Sequence, residues 1–211
     1  MLFLKIMKSE IAIREGLESF HIYYDEADLR DLLFYMEELM KWNKKVNLTG
    51  IRDIVMAIRE LLYDAFFLID HTGRDRSVLD LGSGAGVLAI PLAILQKKAR
   101  IFSIDKSLRK IQFQRHIKRN LDLSALTPLH GRAEEIPSIG VDSLVVKAFG
   151  SIPEILKKGG GQIRPGGRAL ILKGKNEEPV EEKDFLFTDA IPYELPVIEK
   201  SYKLLIYKKV S

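Results

Sequence analysis

Between Asp28 and Trp42 the chain places Leu29, Leu32, Leu33, Met36, Leu39 and Met40 at intervals of three and four. That spacing predicts an amphipathic helix over 28–42, because residues three and four apart share one helix face. The stretch NKKVNLTGIRD then breaks the period with Asn, Thr and Gly. A second helix is predicted from about residue 53 to 69. Its apolar residues, Ile54, Val55, Ile58, Leu61, Leu62, Phe66 and Phe67, lie on nearly every side, as in a buried element. DHTGRDRS reads as a linker.

From residue 77 the pattern changes to short apolar runs alternating with helical segments. Strands are predicted at 77–81, 100–104, about 125–129, 142–147 and 168–173, with helices at about 87–97, 107–120 and 151–161. Strand followed by helix, repeated, implies a parallel sheet covered on both sides. The tail segments DFLFTDAIPYELP and SYKLLIYKK alternate like strands with no helix between them, and are predicted as an antiparallel hairpin on the sheet edge. The expected architecture is an N-terminal helical cap, residues 1–72, followed by a seven-stranded α/β domain, residues 73–211.

The chain has 211 residues and is 46% hydrophobic, enough for a sizeable core. It has no cysteine, which removes disulfides, cysteine-ligated metals and thiolate nucleophiles. No stretch approaches the roughly 18 to 20 apolar residues of a membrane helix, and the start lacks a signal-peptide cleavage pattern, so a cytoplasmic location is the expectation. The histidines His21, His71, His116 and His130 show no metal-ligand spacing. Net charge is a modest +4, but Lys106, Arg109, Lys110, Arg115, Lys118 and Arg119 fall in one short segment. Further basic residues cluster at Lys41, Lys44 and Lys45 and at Lys97, Lys98 and Arg100. Such patches suit either a polyanionic partner or a solvated helix face.

Chemistry concentrates in LDLGSGAG, where an apolar run leads through Asp80 into Gly82, Gly84 and Gly86. A glycine-rich turn between a strand and a helix lets the backbone approach a ligand and offers it free helix-start amides. The spacing G-x-G-x-G brings the third glycine one residue earlier than in a dinucleotide fingerprint, and no triphosphate loop is present. The motif resembles the first motif of Rossmann-like S-adenosylmethionine-dependent methyltransferases. In that resemblance Asp105, at the end of the next strand, is the acid that accepts hydrogen bonds from ribose hydroxyls.

KWNKKVNLTGIRD, GSGAG followed by IPLAI, an acid followed by RK and Phe113, GRAEEI and GGRALILKGK together narrow the likeness. Over nearly its whole length the chain resembles the bacterial 16S ribosomal RNA guanine-N7 methyltransferases, also called glucose-inhibited division protein B. The resemblance implies S-adenosyl-L-methionine as cofactor, a seven-stranded Rossmann-like fold, and a monomer acting on 16S rRNA or a small-subunit precursor without a membrane role. It assigns the cofactor to Asp80, Gly82, Ser83, Gly84, Gly86, Val87, Asp105, Lys106, Ala133, Glu134 and Lys147. Glu134 also reads as an ordinary helix-start acid. RNA contacts are assigned to Asn43, Asn47, Lys110, Arg115, Lys118 and Arg119. Asn43, Asn47 and Thr49 suit helix caps equally well, and Trp42 reads as a core aromatic.

Guanine N7 presents a lone pair on the major-groove edge, so methyl transfer to it requires no deprotonation and no covalent intermediate. The chain departs from the family pattern near the cofactor mouth. Lys147 replaces the usual arginine and is the candidate catalytic residue, keeping the charge but losing the planar fork. Leu61, Asp64 and Ala65 stand where His-x-x-Asp-Ser is usual, and Lys106 replaces a serine. Val87, Leu88 and Ala89 stand in place of Phe-Pro-Gly or Leu-Pro-Gly, and are expected to turn side chains toward the cofactor. A divergent methyltransferase with another RNA, protein or small-molecule acceptor, or an inactive RNA-binding relative, are the alternatives.

Overall fold

The computed structural model describes residues 2–198 and 200–210. Seven strands form one sheet in the order β3-β2-β1-β4-β5-β7-β6. The first five are β1 (Ser77–Leu81), β2 (Arg100–Asp105), β3 (Leu126–His130), β4 (Val141–Lys147) and β5 (Ile163–Gly174), all paired in parallel. β6 (Phe185–Leu195) and β7 (Lys200–Lys209) make the expected antiparallel hairpin, with β7 against β5. All five residues of β1 are buried, which fits a central parallel strand covered on both faces. β1 lies between β2 and β4, so the strand order reverses there, and the crevice at its carboxyl end is where such sheets bind ligands.

Five helical segments cover one face: α1 (Leu2–Ser19), α2 (Glu26–Val46), α3 (Ile54–Ala57), α4 (Tyr63–Thr72) and α5 (Ala89–Leu95). They are joined there by α6 (Leu108–Asn120), while α7 (Ile152–Gly159) packs on the opposite face. α2 begins at Asp25 in a reciprocal capping box with Asp28 and ends at Asn47, whose φ of 47° stops the helix in the left-handed region. Buried residues of the N-terminal helices, among them Leu17, Leu32 and Leu62, share one apolar cluster with Val78, Ile101 and Val145 of the sheet.

The predicted strands lie within about two residues of those observed, except β5. Its first half, Ile163–Gly167, contains the turn-like Pro165-Gly166-Gly167, and the β4–β5 register shifts between Val141 and Ser143. Two features have no counterpart in the expectations. α1 exists as a full helix, and the predicted second helix is interrupted by a π turn, Ile58–Leu62, between α3 and α4. An inserted π turn leaves backbone carbonyls outside the regular helical ladder.

α1 approaches α4 closely at Gly16, where a Cβ would lie 2.2 Å from the ring of Tyr63. The Tyr63 hydroxyl donates to the Ala12 carbonyl at 2.7 Å and fixes that ring. Gly16→Ala should therefore destabilise the fold by about 1–3 kcal/mol through overpacking, against the roughly 1 kcal/mol that alanine gains by helix propensity. Urea unfolding measures it; a raised midpoint would show that the helices are free to separate.

Candidate active site

The loop after β1 is left-handed at Gly82, Gly84 and Gly86, with φ of 68°, 58° and 76°. Side chains are strained in that region. At Gly86 a Cβ would also lie 2.8 Å from Ile90 Cδ1, and at Gly82 2.5 Å from the Phe149 ring. The Ser83 amide still donates to the Ile104 carbonyl of β2 at 3.0 Å and the Gly86 amide to the Ser83 carbonyl at 2.8 Å, and side chains satisfy other groups of the loop. Asp105 Oδ2 accepts from the Gly84 amide at 2.9 Å, and its Oδ1 accepts from the Ser107 amide at 2.7 Å. Gln114 Nε2 donates to Ser83 Oγ at 2.9 Å and to the Gly84 carbonyl at 2.8 Å, while its Oε1 accepts from Ser103. From α2, the Tyr35 hydroxyl donates to the Ala85 carbonyl at 3.3 Å.

Asp80 supports the loop from beneath. It is fully buried, and its Oδ2 accepts from the Ala89 amide at 3.1 Å at the start of α5. Burial pushes its carboxyl up to about 7, and the Asp105 charge adds to that, despite the opposing hydrogen bonds from the Ala89 and Leu88 amides.

In front of the loop lies a cavity of about 370 Å³. Asp105, Lys106 and Lys110 line one side, Ala133 and Glu134 another, and Gly82 with Phe149 a third. The donor set fits a nucleoside. Each Asp105 oxygen keeps a lone pair beyond its amide bond, enough to accept the two hydroxyls of a ribose. The buried Ala133 supplies an apolar contact, and Gln162 holds its turn by donating to the Ala133 and Ile136 carbonyls at 2.8 and 2.9 Å.

Of the residues singled out in the sequence, Gly82, Asp105, Lys106, Lys110, Ala133 and Glu134 thus meet in the cavity wall. Ser83, Gly84 and Gly86 build the loop behind it. Others are placed elsewhere. Val87, Leu88 and Ala89 do not line the cavity: Leu88 and Ala89 are buried and Val87 packs on the apolar core, because the Asp80 anchor draws the start of α5 inward. Asn43 is buried, donates to the Ile51 carbonyl at 3.0 Å and accepts from the Thr49 amide at 2.9 Å. It and the helix-stop Asn47 organise the loop after α2. Lys118 Nζ donates to the Leu126 carbonyl, tying α6 to β3, whereas Arg115 and Arg119 are exposed.

Lys147 is also absent from the cavity wall. Its ammonium pairs with the buried Asp64 and donates to the Glu60 carbonyl of the π turn at 2.6 Å. Asp64 in turn accepts from the Tyr193 hydroxyl at 2.7 Å. Burial and the nearby Asp64 charge hold that hydroxyl firmly protonated. Next to Lys147, Ala148 takes a left-handed φ of 53°, and Phe149 follows with Lys158 Nζ 5.5 Å from its ring centre. Phe149 and Gln114 carry site geometry that the motif reading missed. Gln114 was detectable as a polar residue between Ile111 and Ile117 on the buried stripe of α6; Phe149 offered no such signal.

Asp105→Ala removes the anchor of the Gly84 amide together with the carboxylate expected to accept the ribose hydroxyls, so affinity for S-adenosylhomocysteine should fall at least about 30-fold by calorimetry, about 2 kcal/mol. A small effect would place the ribose elsewhere. Ionisation of Asp80 opposes folding, because its folded pKa of about 7 exceeds the ordinary 3.8. The penalty grows as pH rises between those values and is complete above the upper one. Asp80→Asn should therefore gain about 2–3 kcal/mol over the parent chain on going from pH 5 to pH 8. Parallel pH–stability curves would exclude a buried charge at this position.

A sequence model of the rRNA small subunit methyltransferase G family matches residues 28–205. A Geobacter protein named ribosomal RNA small subunit methyltransferase G is 34% identical over 187 residues, covering 86% of each chain. Its namesake in Geotalea uraniireducens is 30% identical over 208 residues, covering 93% of this chain and 94% of its own. Among solved structures, a methyltransferase of Burkholderia thailandensis with bound S-adenosylhomocysteine superposes with a TM-score of 0.57, at 16% identity, over 84% of this chain and 89% of its own. An S-adenosylmethionine-dependent methyltransferase of Aquifex aeolicus gives 0.56 at 16% identity, over 74% and 93%. The fold is that of the class I methyltransferases, and the chain belongs to the rRNA small subunit methyltransferase G family of S-adenosylmethionine-dependent enzymes.

Proposed function

We propose that this protein methylates N7 of a guanine in 16S ribosomal RNA, acting as a cytoplasmic monomer. Family membership sets the reaction class; the observation that supports an RNA acceptor is the distribution of unpaired cations. Among the described residues, Arg109, Lys110, Arg115 and Arg119 of α6 make no ion pair, and Lys110 stands in the cavity wall. Unpaired cations occur elsewhere too, but α6 (Leu108–Asn120) carries no acid at all to balance its own, whereas Arg14 is held by Glu10 and Glu26, and Arg59 by Glu15. An acid-free helix with four unpaired cations, one of them in the cavity wall, is suited to phosphates.

Asp105, Ala133 and Glu134 would hold the adenosine, and the glycine loop the methionine end. When bound, the cofactor supplies an electrophilic sulfonium methyl group. The acceptor lone pair lies in the base plane, so the protein has only to place it in line and exclude water. We assign the placing to the segment that leaves β4. Lys147 keeps one N–H beyond those given to Asp64 and Glu60, a donor suited to a guanine carbonyl oxygen. Phe149, two residues on, adds an aromatic wall to the cavity that Lys147 itself does not line.

Methylation of naked 16S RNA and of 30S particles, followed by mapping of 7-methylguanine, tests the reading. Uptake should fall steeply with salt as phosphate contacts are screened. Methyl transfer to another acceptor with none to RNA would overturn it. Lys147→Met should lower turnover at least about 30-fold, near 2 kcal/mol, and leave S-adenosylhomocysteine affinity within about threefold. It also strands the buried Asp64, so Asp64→Asn in the same chain should recover stability but not turnover. Recovery of both would make Lys147 purely structural.

A further inference from the structure

The end of α2 carries a second basic surface that the cofactor site does not use. Trp42 packs its ring on α6, edge-on to Phe113 at 5.4 Å and tilted against His116 at 5.2 Å. It is nevertheless partly exposed, and with Lys41, Lys45 and Val46 it lines a recess of about 370 Å³. Trp42, Lys45 and Val46 share one helix face. Around the helix end, Lys41 also borders a groove of about 480 Å³ that includes Lys44, Arg52 and the apolar Met40 and Ile54.

The charges have no internal purpose that accounts for all of them. Lysines in a last helical turn are favoured by the helix dipole, which explains Lys44 and Lys45. Arg52 lies just ahead of Asp53, the cap of α3, where the dipole disfavours a cation. Among the described residues, Lys44, Lys45 and Arg52 pair with no carboxylate, while Lys41 binds Glu38 at 2.9 Å. Glu38 also bonds His116 at 2.7 Å, so the ring beneath Trp42 is fixed from both helices. Burial pushes the Glu38 carboxyl up, and the bonds from Lys41 and His116 outweigh it, holding the group ionised.

We infer that Trp42 is a stacking shelf for an unpaired base of the RNA, with Lys41 and Lys45 at its sides, and that Lys44 and Arg52 take the phosphates of the adjoining strand. A held aromatic face flanked by cations is the combination by which proteins bind single-stranded nucleic acid. The shelf abuts α6, whose Lys110 stands in the cavity wall. The acceptor strand would therefore be gripped outside the reaction centre while its guanine enters it. The inference rests on the RNA reading of the function.

Trp42 is the only tryptophan, so its emission reports the shelf directly. The full-length protein is titrated with a single-stranded oligoribonucleotide of about twelve nucleotides at low salt. Emission should be quenched saturably, with the midpoint given by anisotropy of the labelled RNA. Trp42→Phe, which preserves a ring against Phe113 and His116, should bind RNA within about threefold of the parent. Trp42→Ala and Lys41→Gln with Lys45→Gln should each weaken binding about tenfold, with S-adenosylhomocysteine affinity unchanged. RNA that binds by anisotropy without altering the emission, and equally well to the double glutamine variant, would overturn the shelf. If that variant also methylates 16S RNA normally, the shelf fails while the proposed function stands. A parent protein that neither binds nor methylates RNA refutes both. Emission that answers to 30S particles but not to single-stranded or naked 16S RNA would make the recess a contact for ribosomal protein and overturn the RNA shelf.

Discussion

A glycine loop that turns left-handed three times between a strand and a helix keeps a backbone bond to the neighbouring strand, from Ser83 to Ile104, and much of this structure exists to hold the rest of it by side chains. β1 contributes Asp80 below, β2 contributes Asp105 in front, α6 contributes Gln114 behind, and α2 contributes Tyr35 above. Each anchor demands that its own element be packed in register. The N-terminal helices accordingly share one apolar core with the sheet, so Tyr35 reaches the loop from a buried position. On the proposed reading Asp105 serves twice, since the carboxylate that orders the loop is the one with lone pairs left for a ribose. Pre-organisation of the cofactor pocket and stability of the loop are therefore one arrangement.

The family departures around Lys147 follow similar logic. A lysine at the end of β4 carries a compact charge that must be neutralised where it is largely buried. Asp64 does this from α4, the π turn offers the Glu60 carbonyl, and Tyr193 on the C-terminal hairpin completes the bonding of Asp64. With Leu61 and Ala65 supplying no polar group, Asp64 is the only residue of the usual polar trio left to receive the ammonium. Single changes scattered along the sequence thus meet at one network, which braces the left-handed segment Ala148–Gly150 at the cavity wall.

Sequence pattern reached the parts of this site that depend on chain direction. Glycines after a buried strand and an acid at the end of the next strand fall at the same edge of any parallel sheet, so Gly82 and Asp105 were legible from spacing, whereas Lys110 was marked only as an RNA contact. Side-chain direction inside a turn was not. Val87 and Leu88 point to the core because a buried carboxylate two turns of chain away captures the Ala89 amide, an interaction no local window contains. Asn43 and Lys118 look like surface donors in the sequence, yet neighbouring carbonyls consume them. β5 was half hidden for a different reason: Pro165-Gly166-Gly167 carries turn chemistry inside a strand that bends at a register shift.

The charge map distinguishes fold from function more sharply than composition does. A net charge of +4 says little, because many of the basic residues are spent on internal pairs. Among the unpaired cations two groups stand together: Arg109, Lys110, Arg115 and Arg119 of α6, and Lys44 and Lys45 at the end of α2 with Arg52, on two helices joined at the Trp42–Phe113–His116 contact. Leaving like charges side by side weakens a fold through repulsion, and a solvated stripe serving only solubility would mix signs. Two groups of cations, one with Lys110 in the cavity wall and one beside the Trp42 ring, fit an extended polyanion. They are harder to reconcile with a small-molecule acceptor, which would need the cavity alone.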